Sequence, residues 1–185
     1  MIRVTPLSAA GCLVACVVGT VASPLATGQE VPFEALHIER SATVELAGTP
    51  EAVFALLEPQ GRARWVTGWR LDQLYPRSGP TRPGAVIRQV HRSGAVEQIW
   101  LLAEHEPPTR IKYVVFVAGM ETWEFDTRLR RGPDDRTFAT LDHRITSLAE
   151  PVNQEVQRFA DDFDAYVERL RVALDAALRD GGDPR

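Results

Sequence analysis

Residues Ala139, Leu141, His143 and Ile145 alternate with the polar Thr140, Asp142 and Arg144, so the His143 imidazole falls on the apolar face of an extended segment. An imidazole turned inward can orient a carbonyl or act as a general base, although its commoner role is that of a hydrogen-bonded core residue. Glu121 shares the alternation phase of Trp123 and Phe125, which makes His143 and Glu121 the candidate acid–base residues. Asp126 falls in the opposite, outward phase. With Glu97, Arg88 and Arg128 it reads as part of a solvated strand face, and the pattern yields no paired-carboxylate site.

The aromatic residues suggest binding more than bond-making. Trp69, Trp100, Trp123, Phe125, Phe159, Phe163 and Tyr166 are candidates to line a ligand cavity with His143, while Trp65, which follows the second short helix, fits structural packing there. The same rings could equally fill an ordinary core.

Other chemistries find few residues. Cys12 and Cys16 both lie in the N-terminal apolar stretch, leaving the rest of the chain with no thiol nucleophile, disulfide or cysteine metal ligand. His37, His91 and His105 show no metal-ligand spacing, and the prolines in His105-Glu-Pro-Pro preclude a zinc-binding helix. Ser78 and Ser93 precede glycines in turns and not in a nucleophile elbow. Neither a phosphate loop nor a dinucleotide fingerprint is present, so no metal or cofactor is expected.

These side chains need a sheet and a helix to position them. In HIERSATVEL, residues 37–46, Ile38, Ala42, Val44 and Leu46 share one face of a half-buried strand. Thr49 can cap a helix with Pro50 in its first turn and Val53, Phe54 and Leu57 on its buried stripe; a second short helix lies within PQGRARWVTGW, where Gly61 weakens the join. Six more strands follow near residues 69–75, 85–91, 96–105, 110–117, 122–130 and 136–147. Turns rich in Gly, Pro, Ser and Asp separate most of them, which favours antiparallel neighbours. From Pro151 to Arg179, Val152, Val156, Phe159, Phe163, Tyr166 and Leu170 recur at steps of four and three, predicting one long helix stopped by Gly181 and Gly182. Its acids Asp161, Asp162, Asp164 and Glu168 lie mostly away from that stripe.

The expected organisation is a signal peptide over residues 1–22, a linker over 23–36, one folded domain over 37–180 and a disordered tail over 181–185. Arg3 is the only charge before Glu30, and the stretch between them is apolar or small, as in an export signal. The alternative is a lipoprotein signal ending before Cys16, which would then carry a lipid anchor. Either would place the protein outside the cytoplasm, secreted or periplasmic, and membrane contact is expected only through the signal or that anchor. Removing Arg3 leaves 20 basic residues against 25 acidic, so nucleic acid is not the expected partner.

The order strand, two short helices, six strands and a long closing helix resembles the START-like, or Bet v 1-like, superfamily, which includes polyketide cyclase-like proteins (SRPBCC). The resemblance is carried by TPEAVFALLEP, RWVTGW, RPGAVIR, AEHEPPTRIKYVV and FADDFDAYVERL, in that order, spanning most of the chain after His37. It implies an α+β helix-grip fold: a seven-stranded curved antiparallel sheet closing on the C-terminal helix. It also implies a cavity for an apolar molecule such as a lipid, a polyketide or an aromatic compound, here expected beside the N-terminal half of that helix. The leading expectation is therefore an exported carrier of an apolar small molecule. The alternatives are a cyclase, dehydratase or hydrolase on the same fold, and a protein-interaction module whose core is filled.

Overall fold

A computed structural model describes residues 33–94 and 96–180. The expected signal peptide, most of the linker, the 181–185 tail and the Gly181–Gly182 helix stop lie outside the described residues.

Period-two patterning yields seven strands: β1 (His37–Leu46), β2 (Trp69–Tyr75), β3 (Val86–His91), β4 (Glu97–Glu106), β5 (Arg110–Val117), β6 (Glu121–Arg131) and β7 (Thr137–Ser147). They form one curved sheet in the order β1-β7-β6-β5-β4-β3-β2, with every neighbouring pair antiparallel. In β5, Ile111, Tyr113, Val115 and Val117 are buried, while Lys112, Val114 and Phe116 point to the other face. The register sets Leu102, Tyr113, Phe125 and His143 side by side across four strands, and Trp100, Val115, Trp123 and Ile145 in the next row. Residues far apart in sequence thus become one inner surface.

Between β1 and β2 lie α1 (Pro50–Leu57) and α2 (Pro59–Arg62). Thr49 Oγ1 accepts from Ala52 N at 3.4 Å, Pro50 occupies the first turn, and Val53, Phe54, Leu56 and Leu57 are buried. The expected weak join at Gly61 is a close approach of two backbones: a Cβ there would stand 1.8 Å from Ala55 O and 2.7 Å from Leu56 Cα. A residue without a side chain lets α2 lie against α1, and the next residue, Arg62, then reaches the inner face of the sheet.

The predicted single helix over 151–179 is divided. A 3₁₀ turn (Glu150–Val152) leads into α3 (Asn153–Asp161), and α4 (Phe163–Asp180) follows after a break at Asp162, whose φ and ψ are −95° and 11°. Asp161 and Asp162 have low helix propensity, and the two pieces serve different clusters. Val156 and Ala160 of α3 pack with Ile38, Ile145 and Val152, whereas Phe163, Val167 and Leu174 of α4 join the main core. At the break Arg40 Nε donates to Ala160 O at 3.2 Å. Further along, the buried Asp175 accepts from Ala47 N at 2.9 Å and ties α4 to the end of β1.

Candidate functional site: an aromatic cavity between sheet and helix

Trp123 and Phe125 on β6, and Tyr166, Leu170 and Ala173 on α4, are only half-buried, although their neighbours Val115, Leu141, Phe163 and Leu174 are sealed. The cause is a cavity of about 530 Å³ enclosed by the inner face of the sheet, α2 and α4. Its walls are Trp100, Tyr113, Val115, Trp123, Phe125 and Leu141 from the strands, with Leu57 and Trp65 from the α1–α2 region and Tyr166, Leu170 and Ala173 from α4. Thr67 and Arg169 are the exposed members of the lining and mark the mouth. The cavity therefore lies beside Tyr166–Ala173, further along the helical segment than the sequence pattern implied, because Phe159 and Phe163 fill the space before it.

Those two rings are a support for the site. Phe159 meets Trp123 edge-on at 4.7 Å between centroids, and Phe163 meets His143 at 5.5 Å. Trp100 and Phe125 lie parallel, 4° apart with centroids 5.2 Å apart, giving the wall a flat aromatic portion. Trp65 serves structure and cavity together: its Nε1 donates to Leu56 O at 2.8 Å while its ring joins the lining. Trp69 stays outside, edge-on to His91 at 5.1 Å.

His143 faces inward and is 4% exposed. Phe125, Phe163 and Tyr166 present edge-on ring contacts to it at 4.7, 5.5 and 5.4 Å. Burial pulls its pKa down to about 4, only partly opposed by the nearby Asp142 charge, so the ring is neutral at physiological pH. Its Nε2 lies 3.4 Å from Tyr166 Oη, and its Nδ1 has no hydrogen-bond partner among the described residues. Burial likewise pushes the Tyr166 phenol above its ordinary pKa, with Arg62 and Arg169 opposing. The cavity thus holds two adjoining neutral groups able to exchange hydrogen bonds with a carbonyl or hydroxyl.

Glu121 is not brought to them. It sits at the start of β6 opposite Ser147, outside the cavity lining, and burial, aided by Glu155, raises its pKa against a hydrogen bond from Trp123. Asp126 does point to the outer face, but it is only 6% exposed, because Arg110 covers it with bonds of 3.0 and 2.8 Å. Burial raises its pKa and the Arg110 guanidinium lowers it further still, leaving it below the ordinary value. Arg128 bonds to Asp142 and Arg88 to Asp72, so these charges belong to ion pairs away from the cavity.

Sequence reasoning did not find Arg62 or Arg169. Arg62 lies in a four-residue helix too short to show a period. Arg169 did leave a signal, three residues after Tyr166 and four before Ala173 at the edge of the apolar stripe.

No protein-family model matches the sequence, and neither does any curated protein. Solved structures do match. A conserved protein from Geobacillus kaustophilus superposes with a TM-score of 0.62 at 15% identity, covering 77% of this chain and 96% of that one. A START superfamily protein from Mycobacterium smegmatis gives 0.60 at 16% identity over 77% and 97%. Ara h 8.0201 gives 0.57 at 14% identity over 80% and 99%. At these identities the likeness concerns the path of the backbone, and that path agrees with the strand order and closing helix described above. The chain has the START-like, Bet v 1-like fold.

Proposed function

We propose that the protein is an exported carrier that encloses one apolar small molecule, a lipid, polyketide or aromatic compound, between its sheet and α4. The observation that carries this reading is the 530 Å³ aromatic cavity with a mouth at Thr67 and Arg169. Burying about 250 Å² of apolar ligand surface there is worth roughly 6 kcal/mol before the costs of association. His143 and Tyr166 would orient a polar group of the guest without carrying charge at neutral pH. Export rests on the apolar segment between Arg3 and Glu30. The cavity weighs against an interaction module with a filled core. A catalytic reading has His143 and Tyr166 to work with, but Glu121 stands apart from them.

The test is a titration with the neutral fluorophore N-phenyl-1-naphthylamine. Saturable binding at one site per chain, accompanied by quenching of tryptophan fluorescence, is expected. A linear, non-saturating response would defeat the carrier reading.

A further inference from the structure

Arg62 is the one cationic side chain among the cavity residues that is held inside and not at the mouth, and its surroundings are unusual for a guanidinium. The group sits 4.3 Å over the Trp100 ring, 5.2 Å from Trp65 and 5.8 Å from Tyr113. Its Nε is shut off from solvent without a hydrogen-bond partner, and among the described residues no carboxylate pairs with it. Glu58, one turn earlier, is instead bonded to His105 at 2.8 Å. Several other half-buried arginines are paired with carboxylates, as Arg110 with Asp126, Arg88 with Asp72 and Arg171 with Asp175, and the half-buried Arg40 donates to the backbone carbonyl of Ala160. Aromatic faces offset part of the cost of taking a guanidinium out of water but accept none of its hydrogen bonds. Arg169, exposed at the mouth and likewise without a carboxylate partner among the described residues, adds a second positive charge on the way in.

We propose that the cavity selects an apolar molecule bearing a carboxylate, which Arg62 receives inside while Arg169 attracts it to the mouth. A planar guanidinium offers paired N–H donors that match the two oxygens of a carboxylate, and its hydrogen bonds to an anion are stronger than to a neutral group. The parallel Trp100 and Phe125 rings supply a flat apolar wall beside that charge. This deepens the carrier reading and rests on it: the cavity must first admit apolar guests.

The experiment compares 2-naphthoate with its neutral isostere 2-naphthamide as displacers of N-phenyl-1-naphthylamine, in wild type, Arg62→Gln, Arg62→Lys and Arg169→Gln. Wild type should bind the acid at least about tenfold more tightly than the amide. Arg62→Gln should bring that ratio close to one, Arg62→Lys should retain part of it, and Arg169→Gln should lower it less than Arg62→Gln does. If both compounds displace the fluorophore from wild type with equal affinity, the carboxylate proposal is wrong while the apolar cavity stands. A full preference persisting in Arg62→Gln overturns the assignment to Arg62. Failure of the fluorophore to bind saturably removes the carrier reading and this proposal together. Should Arg62→Gln not fold, the wild-type ratio still decides whether an anion is preferred, and a full preference lost in Arg169→Gln but not in Arg62→Lys would refute the inner site.

Discussion

Replacing Ala173 with Trp is expected to weaken binding of N-phenyl-1-naphthylamine by about a hundredfold while leaving the fold intact. Ala173 is a small half-buried residue on α4 that faces the cavity between Leu170 and Ala177, with Leu141 and Val115 among the residues across the gap. An indole at this position grows into open space, where a large residue costs little, and not into the sealed packing around Leu174. The added ring removes volume that a guest would occupy and so subtracts apolar contact from the complex alone. Circular dichroism and thermal unfolding check that the variant is folded, and the fluorophore titration reads the loss. Unchanged affinity in a folded variant would place the probe elsewhere on the molecule.

Acidification should destabilise the wild type more than a His143→Gln variant. The His143 pKa is lowered from 6.5 to about 4 by burial, so between these values the unfolded chain binds a proton that the folded one does not. Stability from this group is therefore complete above pH 6.5 and is lost as pH falls toward 4. Going from pH 7 to pH 5 should cost wild type about 2 kcal/mol more than the variant, because Gln fills a similar space but does not titrate. Other titrating groups, including the Asp126 and Arg110 pair on the outer face, are common to both proteins and cancel in the difference. Urea unfolding of both proteins at the two pH values measures it. Parallel losses would mean that His143 is accessible to protons in the folded state.

The strands and the first helix were legible because their signals are local. The alternation Ile111, Tyr113, Val115, Val117 defines an inner face without knowledge of any partner, and Thr49 with Pro50 marks a helix start on its own. His143 was placed inward by the same alternation. What period cannot encode is how tightly two faces meet. Phe159 and Tyr166 occupy equivalent positions in the helical pattern, yet one buttresses Trp123 and the other borders open space. The division at Asp162 also depends on which strands lie beneath, since α3 and α4 pack on separate clusters. Arg62 was hidden for a further reason: its inward direction follows from the close approach of α2 to α1 at Gly61, a backbone geometry that hydrophobic period does not encode. Asp126 faced outward as its phase required, but its burial under Arg110 came from the β5–β6 register.

The central claim is that the cavity holds an apolar molecule, and native mass spectrometry of the protein purified from the organism that makes it tests this most directly. Wild type is expected to carry a single organic small molecule per chain, released on collisional activation, and Ala173→Trp prepared in parallel is expected to lack it. Wild type free of any adduct, or the same adduct retained by both proteins, would contradict the claim.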